Sequence, residues 1–113
     1  AIDRPASSPG PVAVEVVGRC VLSDAHGGPP ERAHGGVVAI LLDETIGQAA
    51  TAAGSTGLTA GLTLRYRAGT PLHTPLTVQA RYTRTEGRKH FATGELRAGS
   101  LLTAEAEGVF IAP

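Results

Sequence analysis

"RAHGGVVAILLDETIGQAATA", residues 32–52, decides how the rest of the chain is read. Residues 37–53 contain no proline and little polarity, alanine and leucine dominate, and the run is too long for an ordinary strand. It reads as a helix. The segment "AGSTG" (53–57) supplies the stop, with Gly54 and Gly57 both able to end the helix. A helix that is apolar nearly all round must be covered on most sides. Yet this one carries two adjacent acids, Asp43 and Glu44, in its middle. Burying an ionised carboxylate costs several kcal/mol unless something pairs with it or uses it.

The flanking sequence supplies the cover. Upstream, 12–22 ("VAVEVVGRCVL") is valine-rich and reads as a strand, and the Gly- and Pro-dense 23–36 reads as a loop. Residues 1–11 read as a flexible tail, leaving 12–113 as a single domain. Downstream, four strands are expected at 58–68, 76–84, 90–98 and 101–112. In the first, Leu62, Leu64 and Tyr66 share one face, and Thr63, Arg65 and Arg67 the other. In the second, Leu76, Val78, Ala80 and Tyr82 share a face, and in the last, Ala104, Ala106 and Phe110 oppose Glu105 and Glu107. One antiparallel sheet curling around one long helix satisfies this pattern, so the fold class is α+β.

Composition narrows the function. Hydrophobic residues make up 42% and charged residues 18%, which excludes a disordered chain. The formal net charge is zero, so nothing points to a nucleic-acid partner. The charge is uneven: residues 1–64 hold six acids and three bases, and residues 65–113 hold four acids and seven bases. Cys20 is the only cysteine and lies in an apolar run, so a bland packing role in a reducing compartment is expected. No apolar stretch approaches the roughly 20 residues that span a bilayer. The start, which lacks Met, has no signal-peptide layout and reads as trimmed or incomplete; a cytoplasmic protein is expected. His26, His34, His73 and His90 show no metal-ligand spacing, so no metal and no cofactor are expected. The tyrosines and phenylalanines read as core or interface residues.

His-Gly-Gly at 34–36 has a structural reading, easing a tight entry into the helix, and a functional one. The first turn of a helix leaves backbone N–H groups without internal partners, at the positive end of the macrodipole. Glycines there let a ligand approach the backbone, and a carbonyl oxygen gaining negative charge would be held well. Asp43 lies eight residues beyond Gly35, about 12 Å along a helix. One reacting carbonyl cannot touch both, so joint action requires a second, antiparallel copy of the helix and a two-fold dimer. Asp43 and Glu44 point about 100° apart. Asp43 shares an arc with Gly36, Ala39, Ile40, Ile46, Gly47 and Ala50 and reads as catalytic, whereas Glu44 can extend toward solvent.

"HGGVVAILLDETIG" resembles the signature of hotdog-fold acyl-CoA thioesterases, in particular the group of the phenylacetate-degradation thioesterase and the thioesterase superfamily members. "LTAGLTLRYRAGTPLHTPLTVQA" (58–80) is similar to that family's next two strands, and the resemblance covers 12–112. It implies a curved antiparallel sheet wrapped around a central helix, acting on acyl-CoA as a homodimer or a dimer of dimers. It also implies that the Gly35 N–H, beside Gly36, polarises the thioester carbonyl. Asp43 of the partner chain would be general base or nucleophile, Thr59 would position the water, and His34 would orient the loop. One departure stands out. Many relatives carry an Asn six residues before the His, and here that position is Gly28.

The basic cluster suits the phosphates of coenzyme A, because an Arg fork binds two oxygens at once. Arg65 and Arg67 share a strand face, Arg88 and Lys89 sit near a turn, and "EGRKH" (86–90) is the first choice for nucleotide contact. Two other readings compete. A hotdog dehydratase or hydratase would need a His paired with an acid, and no Asp-x₄-His occurs. A non-catalytic acyl-CoA-binding protein would gain stability by replacing Asp43.

Overall fold

The computed structural model describes residues 14–28, 31–55 and 58–111, so the tail expected at 1–11 lies outside the described residues. Seven strands and one long helix follow in chain order: β1 (Glu15–Val21), β2 (Gly27–Gly28), β3 (Arg32–Ala33), α1 (Gly35–Ala52), β4 (Leu58–Tyr66), β5 (Pro75–Glu86), β6 (Lys89–Ala98) and β7 (Leu101–Ile111). The stretch expected as pure loop is more ordered than its composition suggests. A 3-10 turn, Asp24–His26, precedes a short ladder in which Gly27 pairs with Ala33 and Gly28 with Arg32. That ladder is tied down by Ala33 N–H to Thr70 O.

The main sheet is antiparallel, in the order β1-β5-β6-β7-β4. The connection after β4 therefore crosses to the far side of β7 and β6, and β4 forms one edge while β1 forms the other. α1 lies across β5, β6 and β7. Its buried face is Val38, Leu42, Thr45, Ile46, Ala49 and Ala50, at the spacing of one helical stripe. Opposite it on the sheet lie Leu76, Val78, Ala80, Ala92, Leu96, Ala104, Ala106 and Phe110. The expected inward faces of β5 and β7 are the observed ones.

Small residues let the helix sit this close. A Cβ at Gly94 would stand 2.9 Å from Ile46 Cγ1, and one at Gly108 would stand 3.0 Å from Ile46 Cγ2. Those two positions neighbour Ala106 and Ala92 in register, so the floor under Ile46 is made of alanine and glycine. Gly94→Ala is expected to destabilise the protein by about 1–3 kcal/mol through overpacking. Ile46→Ala alone should cost about 2–5 kcal/mol. The double variant should cost less than the sum, because removing Ile46 makes room for the new methyl. Urea unfolding of the four proteins checks this.

Helix α1 ends as its sequence suggests. Gly54 takes φ +102°, Gly54 N–H bonds Thr51 O at 3.0 Å and Ser55 N–H bonds Ala50 O at 2.9 Å. That pair of bonds satisfies the last carbonyls and needs a residue free of Cβ at the left-handed position. Gly57, the other expected stop, lies outside the described residues.

Candidate functional site

Helix α1 begins at Gly35, two residues earlier than expected, because its first hydrogen bonds run to His34 O from Val37 N–H (3.0 Å) and Val38 N–H (3.2 Å). His34 is the N-cap residue, but its side chain makes no capping bond, and the first turn carries no acid. The Gly35 and Gly36 N–H groups precede the first intrahelical bond and face the positive end of the macrodipole. His34 N–H donates to His26 O at 3.0 Å, so the residue before this opening is held through its backbone. Beyond it, the Tyr66 hydroxyl donates to Gly35 O at 2.9 Å. Tyr66 was expected in the core or an interface. It lies outside the core, largely exposed in the single chain at the end of the edge strand β4, and stands against Gly35.

Asp43 stands where the spacing put it, two turns into the helix and partly buried. Its Oδ1 is buried and has no hydrogen-bond partner, the one such side-chain atom among the described residues. A carboxylate oxygen left without a donor carries a desolvation cost. Glu44 is exposed, as expected. It lines an open groove of about 730 Å³ with Gly47, Gln48, Thr51, Leu58, Thr59 and Phe110, between the second half of α1 and β4. The groove and the presence of Glu44 and Gln48 in it were not legible from the sequence, because they depend on which strand flanks the helix.

Thr59 sits beside a bulge: the β4–β7 register shifts between Thr59 and Gly61, so Ala60 is the extra residue. Bulges re-aim side chains at sheet edges. Seven residues separate Thr59 from Tyr66, about 23 Å along the strand. Because Tyr66 touches Gly35, a single chain holds the Gly35 and Thr59 ends far apart.

The four basic residues do not form one cluster. Arg65 and Arg67 lie on the sheet face away from α1, in a shallow cleft of about 350 Å³ with Glu95, Glu105 and Glu107. Arg67 is bound to Glu105, with Nε 2.6 Å and Nη2 2.5 Å from Oε2. Arg88 and Lys89 lie at the exposed tip of the β5–β6 hairpin. Lys89 is in register with Ile111 and, through it, with Leu58, so this tip belongs to the Thr59 end of the sheet. Gly28, at the position of the missing Asn, has open space where a side chain would begin.

Burial pushes the Cys20 thiol above its ordinary range, which suits packing better than reactivity. Among the described residues, no His, Cys, Asp and Glu group gathers as a metal site, and no helix is long and apolar enough to cross a membrane.

Residues 31–105, which hold Gly35, Gly36, Asp43 and Thr59, match the family model described as the thioesterase superfamily. Over 86 residues the chain is 35% identical to the acyl-coenzyme A thioesterase THEM4 of Xenopus laevis, covering 74% of this chain and 39% of that protein. The crystal structure of a thioesterase superfamily protein has TM-score 0.82 at 38% identity, covering 86% of this chain and 48% of that one. A hypothetical thioesterase from Streptococcus pneumoniae, solved with coenzyme A, has TM-score 0.80 at 17% identity, covering 87% and 80%, a likeness of fold. The chain thus spans less than half the length of the first two.

Proposed function

This chain belongs to the thioesterase superfamily and has its hotdog fold, and from that premise we propose that it hydrolyses an acyl-CoA thioester to a carboxylic acid and free coenzyme A. The observation that carries the proposal is Asp43 Oδ1, buried in the middle of α1 and left without a partner. A structural acid would be satisfied by its own chain. One kept ready for water or substrate would not.

The two halves of the chemistry lie too far apart in one chain, so we place the site between two chains. β4 is an unpaired edge whose Leu58 is 83% exposed, and on α1 Ile40 is 61% exposed. An unpaired edge next to exposed aliphatic side chains is a natural pairing surface. A two-fold partner running antiparallel along β4 would bring Gly35 of one protomer toward Asp43 and Thr59 of the other. There the Gly35 N–H, flanked by that of Gly36, holds the carbonyl oxygen as it gains charge. Asp43 either takes the proton of the attacking water or attacks the carbonyl carbon to give an anhydride that water opens. In both routes the C–S bond breaks, the sulfur leaves as thiolate and is protonated, and the carboxylate is restored. Thr59 holds the water.

Coenzyme A as the leaving group is supported by the named activity of the Xenopus laevis relative and by the ligand of the streptococcal structure. We assign its phosphates to Arg88 and Lys89, which are adjacent at the exposed tip of the β5–β6 hairpin, at the Thr59 end of the sheet. Arg88→Ala and Lys89→Ala should each raise KM by about two- to fivefold and weaken its salt dependence, with kcat unchanged. Arg67→Ala should leave KM unchanged. A reducing, cytoplasmic setting fits the lone Cys20.

Release of free thiol from a panel of aryl and straight-chain acyl-CoAs tests the proposal. Turnover of at least one substrate is the expected result. Binding of acyl-CoA without thiol release would make the protein a hotdog binding module instead.

A further inference from the structure

We propose that Tyr66 is a positioning residue that orders the Gly35–Gly36 amides for catalysis from the carbonyl side of the helix start; this rests on the reading of those amides as the oxyanion donors. A helix N-terminus is ordinarily ordered by a Ser, Thr, Asp or Asn whose side-chain oxygen accepts the free N–H groups. Such a cap here would occupy the amides that a reacting carbonyl needs. α1 has none, and its first two residues are glycines, which hold their backbone least tightly.

Order comes from elsewhere. On one side, His34 N–H is fixed to His26 O at 3.0 Å. On the other, the Tyr66 hydroxyl donates to Gly35 O at 2.9 Å, so the Gly35 N–H lies between two held groups. Gly35 O and the Gly36 N–H are the two ends of one peptide, and a donor on the oxygen polarises that N–H. The ring also stands 3.4–3.7 Å from where a side chain on residue 35 would begin, walling one flank of the glycine.

Tyr66 is itself rigidly mounted. It is in register with the buried Ala104, and the next two residues, Arg67 and Ala68, both donate to the carbonyl of the fully buried Thr103, at 2.8 and 3.1 Å. Tyr66 is 54% exposed in the single chain and outside the buried core of the protomer, so it is not a core-packing residue. Its hydroxyl touches the helix start without competing for an N–H.

Tyr66→Phe, made in the full chain, tests this with two readouts. Backbone NMR order parameters for the Gly35 and Gly36 amides should be near the rigid value of about 0.85 in wild type and fall in the variant. Thiol release from the best acyl-CoA of the panel should show kcat reduced about three- to tenfold, KM within about twofold, and an unchanged thermal midpoint. In a Gly35→Pro background, where only the Gly36 N–H is left for Tyr66 to order, the same substitution should lower kcat by a smaller factor. The proposal is overturned by unchanged order parameters, by wild-type kcat in Tyr66→Phe, or by equal loss in both backgrounds, which marks a structural role. No turnover by the wild type would sink the thioesterase reading, and the order parameters would still decide whether Tyr66 holds the amides.

Discussion

Asp43→Asn is expected to lower acyl-CoA thiol release by a factor of about 10²–10⁴, the range that a positioned acid–base group contributes. The amide keeps the shape of the carboxylate and removes its ability to take a proton or to attack. The loss should fall on kcat, with KM little changed, because the role proposed for Asp43 is on the reacting centre and not on the carrier. Stability should move the other way or stay level. An orphaned buried Oδ1 is a cost to the folded state, and a neutral amide there reduces it, so the urea midpoint should hold or rise. Glu44→Gln is the matched control: exposed, adjacent and about 100° away around the helix, it should retain wild-type kcat. Loss in Glu44→Gln with retention in Asp43→Asn would exchange the two roles, and Glu44 does line the groove that Thr59 lines.

The contrast between those neighbours was readable in advance because a helix has one period, and 43 and 44 cannot share a face. Strand alternation in the same way placed the inward faces of β5 and β7. What could not be read was adjacency. "LTAGLTLRY" and "PLTVQARYTRTE" are consecutive in sequence. They lie on opposite sides of β6 and β7 because β4 found β7 instead. Strand alternation says which side chains face inward and nothing about which strand is next door. Three of the features missed depend on that neighbour: the groove beside α1, the contact of Tyr66 with Gly35, and the separation of Arg67 from Lys89. The ladder within 23–36 was missed for a different reason, since its two-residue strands pair with each other and are anchored by a tertiary bond from Ala33 N–H to Thr70 O.

Gly35→Pro should reduce turnover by about 10²–10³, the usual effect of deleting one oxyanion donor. Proline is compatible with the backbone of this position. Gly35 is the first helical residue, where a proline has no intrahelical bond to lose. His34 before it already has φ −63° and ψ 143°, the extended conformation that a following proline demands. The substitution therefore subtracts a single N–H from an otherwise intact helix, and far-ultraviolet circular dichroism should be unchanged. Its value is greatest in combination with Asp43→Asn. If donor and acid act across a two-fold interface, a mixed dimer of the two inactive chains has one site with neither group and one with both. Refolding equal amounts together gives about half mixed dimers, each with one of two sites intact, and so about a quarter of wild-type activity. If donor and acid instead act within one chain, every site in the mixture lacks one of them and no activity returns. That outcome would remove the shared site while leaving the roles of both residues standing. The distances favour recovery: about 12 Å along α1 from Gly35 to Asp43, and about 23 Å along β4 from Tyr66 to Thr59, are spans that only a second chain can close.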